Sequence, residues 1–251
     1  MPPGSDALAG AVPENSLPPL ALARWPQIRS ATRDLLLWPI GSTEQHGPHL
    51  PLGTDTVIAD ELARATHRRF PGVGLAPALP LGASGEHADF PGTLSIGTQA
   101  LTSVVVEFVR HASLRWSHVL IVNGHGGNAS ALRSAEDLLR SEGRFLTVWH
   151  AAGAGHRADA HAGYRETSLM LFLRPETIRM DLAAAGALEP LSELIEQMRA
   201  GGVTAVSPNG VLGDPTGATA QRGQEFFDEM ADRLIGLVRT LRRMDGPTPD
   251  R

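Results

Sequence analysis

The chain contains no cysteine and no lysine among its 251 residues, and only one tyrosine, Tyr164. Without a thiol it can form no thiolate nucleophile, no thiolate metal site and no disulfide. All 22 basic residues are arginine, which excludes Schiff-base catalysis and a P-loop lysine. No apolar run approaches the ~20 residues that span a bilayer. The N-terminus has neither the charged nor the apolar region of a signal peptide, so cytoplasm is the expected compartment and no membrane partner is expected. A net charge of −5 without a basic stripe argues against nucleic acid as a partner. Gly82-Ala83-Ser84-Gly85 lacks the spacing of a serine nucleophile elbow.

What is present is histidine, ten in all, mostly in glycine-punctuated loops beside acids. Apolar runs and helical periodicities alternate along the chain. Strands are expected at 35–40, 75–81, 118–122 and 145–149. Helices are expected at 20–28, 56–70, 99–116, 129–142, 165–173, 188–199 and 218–243. This order predicts an α/β fold, one mainly parallel central sheet with helices on both faces. Polar loops begin at Gly41, Gly82, Asn123 and His150, each after an expected strand, so the carboxyl edge of the sheet gathers them. Residues 1–18 read as a flexible arm and 245–251 as a flexible tail.

Pro39 to Asp55 concentrates the chemistry. Glu44 and His46 are two positions apart, so in extended backbone they share a side. Gly47, Pro48 and Pro51 stiffen the loop, and Asp55 opens the next helix. Imidazole and carboxylate on a rigid loop after a buried strand suit a divalent metal, zinc, iron or manganese alike. His125 stands in Asn123-Gly124-His125-Gly126-Gly127-Asn128, directly after the most apolar strand. Gly124 to Ala129 also fits a short dinucleotide fingerprint, which would make the chain a nucleotide-binding oxidoreductase; the acid expected at the end of the following strand is missing, where Trp149-His150 stand. Glu166, near a helix start, is a further candidate ligand, and His161 a proton shuttle. Glu86 and His87 can line the same cleft without a defined role, and His49 is read as structural.

Gly41-Ser42-Thr43-Glu44-Gln45-His46-Gly47-Pro48-His49-Leu50-Pro51 with Asp55 resembles the opening signature of the creatininase family of metal-dependent amidohydrolases. Phe90-Pro91-Gly92-Thr93, Asn123 to Asn128, His161-Ala162-Gly163 and Glu166-Thr167-Ser168 resemble its later blocks, in order. The resemblance implies a creatininase-type fold over 19–244, two divalent metal ions per chain and a homo-oligomer, hexameric or similar. It implies Glu44, His46, Asp55 and His125 as ligands, Asp55 bridging. Creatininase itself carries a ligating glutamate where this chain has Gly127, so another ligand is required, and Glu166 is the expected one. The implied chemistry is hydrolysis of an amide by a metal-bridged hydroxide, with His161 protonating the leaving nitrogen. Ser207 to Thr216 is similar to a subgroup that trims a modified precursor peptide; a small cyclic amide or formamide is the alternative substrate.

Overall fold

The computed structural model describes residues 16–151 and 159–244. Most of the expected arm, all of the tail and His156 lie outside these residues. Within the arm, Leu17 is buried and its N–H bonds the Pro71 carbonyl at 2.7 Å.

Four strands form one sheet: β1 (Leu35–Ile40), β2 (Gly74–Leu75), β3 (His118–Asn123) and β4 (Leu146–His150), in the order β2-β1-β3-β4 with every pairing parallel. The helices are α1 (Trp25–Arg29), α2 (Thr54–Arg69), α3 (Gly97–Ala112), α4 (Ala129–Ser141), α5 (Tyr164–Leu173), α6 (Leu191–Gly201) and α7 (Ala220–Met244). Side chains alternate between the sheet faces. Leu35, Leu37, Leu120 and Val122 pack with residues of α2, α5 and α7 on one face, while Leu36, Trp38, Ile40, Val119 and Ile121 meet α3 and α4 on the other. Trp38 stacks on Phe108 there, ring centroids 3.7 Å apart. Each fully buried leucine or isoleucine of these cores contributes about 1.5–3 kcal/mol. The expected α/β class with helices on both faces is what the chain adopts.

Three elements differ from expectation. The strand expected at 75–81 is paired only at Gly74–Leu75, with one further bridge between Ile40 and Leu79. Pro77 and Pro80 have no N–H to give the ladder; the segment stays beside β1 through the Ala76 and Leu79 N–H groups, 2.9 and 3.0 Å from the Leu37 and Pro39 carbonyls. The helix expected at 20–28 is the short α1, ending at Ser30. That expected from Leu188 starts only after Pro190, which cannot continue a helix backwards from its own position.

Strand order reverses between β1 and β3. The chain leaves β1 through α2 on one face and leaves β3 through α4 on the other, so a crevice opens at their carboxyl ends.

Candidate metal centre

At Gly41 an added Cβ would lie 2.3 Å from Thr56 Oγ1, and at Gly124 one would lie 2.3 Å from the Asp55 carbonyl oxygen. Glycine at both strand ends lets the first turn of α2 wedge between them and carries Asp55 into the crevice. Its carboxylate is divided. Oδ1 lies 3.0 Å from His46 Nε2; Oδ2 lies 3.1 Å from His125 Nδ1 and accepts the Ser42 hydroxyl at 2.6 Å.

The two imidazoles are held from behind. His46 Nδ1 is 3.1 Å from the Glu44 carbonyl oxygen and His125 Nε2 is 3.2 Å from that of Ala83. A carbonyl only accepts, so those nitrogens carry the protons, and His46 Nε2 and His125 Nδ1 face Asp55. This is the backing a metal-ligating histidine ordinarily has. The turn at Gly124 therefore spends its glycine on contact with α2 and aims a bulky histidine into the crevice, which speaks against a pyrophosphate there.

Glu44 is wholly buried, and neither carboxylate oxygen has a hydrogen-bond partner. Its neighbours are His125 Nε2 at 3.2 Å, His87 Nε2 at 3.3 Å and His161 Nδ1 at 3.8 Å. Imidazole nitrogens thus face this buried carboxylate without forming a well-aligned hydrogen bond, an arrangement that is costly unless a cation compensates it. Donor atoms converge in three groups among the described residues: Glu44, Asp55 and His125; His46, His161 and Glu166; Glu44, His87 and His161. Asp55 stands between the first two. Oxygen and imidazole donors in this arrangement fit divalent cations.

Glu166, in the first turn of α5, accepts the Ala162 N–H at 2.6 Å and reaches within 3.9 Å of His46 Nε2. Ala162 has φ 53°, a left-handed conformation rare outside glycine. That turn aims His161 and Glu166 at the same cluster. His161 Nε2 donates to the Gln45 carbonyl at 2.8 Å, which leaves Nδ1 bare in the neutral ring. The six residues singled out in the sequence, Glu44, His46, Asp55, His125, His161 and Glu166, are thus brought together.

Charge couples them. Burial opposes ionisation throughout, yet His125 and His161 outweigh burial and Asp55 to hold Glu44 down at about 2. Against burial, Asp55 lifts His46 to about 9, and His46 and His125 keep Asp55 well below the carboxylate range. Burial lifts Glu166 to about 7 although His46 opposes it. Burial, reinforced by His46 and His87, holds His161 well below the ordinary histidine range.

Two residues lacked a defined role in the sequence. His87 is buried; the Gln45 amide nitrogen, 2.8 Å from its Nδ1, leaves its Nε2 proton for Glu44. Glu86 lies with Oε1 3.5 Å from His125 Nε2, in the space a side chain at Gly127 would need: a Cβ there would be 2.4 Å from that oxygen. Two carboxylates thus flank the cluster, Glu166 on the His46 side and Glu86 on the His125 side. The glycine-punctuated Gly82 loop was the only signal for this pair. His49, by contrast, points away to Thr167 Oγ1 at 2.9 Å.

A cavity of about 140 Å³ opens onto the cluster, lined by Asp55, Glu86, His125, His161 and Glu166 together with Leu191, Met198 and Leu212.

The family model for creatininase (creatinine amidohydrolase) matches residues 21–238. A mycofactocin precursor peptide peptidase of Mycobacterium ulcerans is 48% identical over 222 residues, covering 85% of each chain. Its counterpart in Mycolicibacterium smegmatis is 49% identical over 209 residues, 80% of this chain and 84% of the relative. A crystal structure of creatinine amidohydrolase superposes with a TM-score of 0.72 at 19% identity, covering 91% of this chain and 98% of the other. A manganese form of creatininase gives 0.73 at 20% identity with the same coverage. Matched along most of its length by the family model and by close relatives, and sharing the creatininase architecture, the chain belongs to the creatininase family and is a hydrolase of amide C–N bonds.

Proposed function

We propose that the chain is a metal-dependent peptidase that cleaves an amide bond near the C-terminus of the mycofactocin precursor peptide, releasing its modified C-terminal dipeptide. The observation that carries the metal requirement is the Glu44 carboxylate, fully buried with neither oxygen in a well-aligned hydrogen bond, among six other convergent ligand groups. In this reading Glu44, Asp55 and His125 hold one ion, His46, Asp55 and Glu166 a second, zinc, iron or manganese. Bound ions supply Lewis acidity toward the scissile carbonyl and lower the pKa of water from ~15.7 towards ~7.

The chain's own groups do the rest. Ser42 and the carbonyls of Glu44 and Ala83 fix Asp55, His46 and His125 in orientation. His161, neutral and bare at Nδ1, would take a proton there from the attacking water and pass it to the leaving nitrogen as the C–N bond breaks, which an amide needs because an amide anion leaves poorly. Leu191, Met198 and Leu212 exclude water from part of the cavity. A cytoplasmic homo-oligomer, hexameric or similar, completes the proposal.

The small cavity volume favours a second reading, a small cyclic amide or formamide as substrate. Relatives so named are a creatinine amidohydrolase of Pseudomonas putida, 27% identical over 175 residues, and a Methanobrevibacter ruminantium deformylase, 32% over 111. The deciding experiment is elemental analysis with turnover of the modified precursor peptide before and after chelation. About two metals per chain, and cleavage lost on chelation and regained on reloading, are expected. Metal without peptide cleavage selects the second reading, and no metal under any loading overturns both.

A further inference from the structure

The cavity is lined by two unlike sets of side chains. One is ionisable, Asp55, Glu86, His125, His161 and Glu166; the other is apolar, Leu191 and Met198 of α6 with Leu212, and no arginine is among the lining residues. α6 is a satellite to the main cores. Leu194 secures it to Val203 and Leu212, and the helix lies against the Gly85–His87 turn that bears Glu86. Its remaining apolar residues follow helical spacing, Leu191, Ile195 and Met198 at i, i+4 and i+7. Met198 is half-buried against that small core, whereas Leu191 and Ile195 stay 39% and 38% exposed, and Leu188, just before the helix, 53%. An apolar strip thus runs from solvent into the cavity and ends beside the carboxylates.

Large side chains exposed in a row next to a candidate reaction centre are stabilising only when something apolar covers them. The volume, about 140 Å³, accommodates one side chain rather than a length of folded partner. Carboxylates in the same lining, with no guanidinium among them, disfavour an anionic group on the substrate there.

Resting on the peptidase reading above, we propose that Leu191, Met198 and Leu212 are specificity residues that bind an uncharged apolar side chain adjoining the scissile amide, with Leu188 and Ile195 extending the strip along the peptide. The amide that this side chain positions would then be the one presented to Asp55, His125, His161 and Glu166. Burying a leucine-sized group is worth about 1.5–3 kcal/mol, or roughly 10- to 150-fold in kcat/KM.

The test uses the metal-loaded full chain and C-terminally amidated peptides based on the precursor C-terminus. They differ only in the residue next to the scissile bond: Leu, Tyr, Ser or Asp. The wild type is expected to prefer Leu and Tyr over Ser by at least 10-fold in kcat/KM, and over Asp by more. Leu191→Ser and Met198→Ser should compress the Leu-to-Ser ratio to within about 3-fold by raising KM for the apolar peptides, with metal content and circular dichroism unchanged. Leu191 is already partly exposed, so its variant has little reason to misfold. A wild type that ignores the flanking residue, or variants that slow every peptide by the same factor, would overturn the inference. If the loaded wild type cleaves small amides but none of these peptides, the peptidase reading itself has failed.

Discussion

Metal uptake by this protein should expel protons, and the structure says from where. In the metal-free fold Asp55 raises His46 from 6.5 to about 9 against the effect of burial. At pH 7 only about one ring in a hundred is then free to ligate. Glu166, lifted to about 7 by burial, is half protonated at the same pH. An ion entering between His46 and Glu166 must displace between one and two protons. Its apparent affinity should therefore climb by at least about tenfold per pH unit, and by roughly 1,000-fold in all from pH 6 to 8, since nearly two protons leave at pH 6 and about one at pH 8. Stability of the metal-free protein runs the other way. A folded-state pKa above the unfolded value stabilises the fold fully below 6.5, and that contribution fades as pH rises through about 9; for His46 it amounts to about 3 kcal/mol. Glu166 adds the same sign, complete below 4.5 and lost through about 7. Titration calorimetry in two buffers of different ionisation enthalpy counts the protons, and thermal melts of chelated protein between pH 6 and 10 read the stability. Proton release near zero at pH 7, or an affinity flat from pH 6 to 8, would refute the electrostatic account of the cluster.

Alanine at His46 or Asp55 is expected to abolish metal-dependent turnover while circular dichroism stays native; activity retained in both variants would remove these residues from the centre. Glu86→Gln should weaken metal binding by about 10- to 100-fold, as for groups that support a ligating histidine, read by competition with a chromophoric chelator; an unchanged constant would leave Glu86 without a metal-linked role. Gly124→Ala forces a methyl against the Asp55 carbonyl, so a loss of about 1–3 kcal/mol and reduced metal occupancy are expected in denaturant titrations with metal analysis. Leu234→Ala, in the core under α7, should cost about 2–5 kcal/mol and leave metal affinity unaltered, which separates fold stability from the site.

Much of the architecture is legible because buried parallel strands are short apolar runs and the helices between them are amphipathic. Leu35–Ile40 and His118–Asn123 are bounded to within a residue by that pattern. The Pro77/Pro80 segment is not, since whether a proline-interrupted run pairs depends on which N–H groups its neighbour requires. Glu44, His46 and Asp55 are legible as a group because one stiff loop and the following helix turn carry all three. Glu86 and His87 are not, because they stand on a single helical turn with no periodicity. Their meaning arises only where the Gly82 loop meets Glu44 and His125, some forty residues away in either direction. The apolar strip on α6 is equally silent in sequence: helical periodicity does not tell Leu191 and Ile195 from Leu194, and only the packing shows that Leu194 is buried while those two stay exposed.

The division of Asp55 between two imidazoles also bears on how the chain folds. Every strand pairing is parallel, and β1 meets β3 only after the intervening 77 residues have been looped out, from Ile40 to His118. Such pairings are slow to form. Until they do, no local segment unites His46, His125 and Glu166, so a nascent chain offers an ion no complete binding place. The acidic crevice must then close while its carboxylates still repel one another, with Asp55 as the joint on which both halves turn. Refolding should accordingly show a late step, accelerated by divalent ions, that is separate from formation of the sheet.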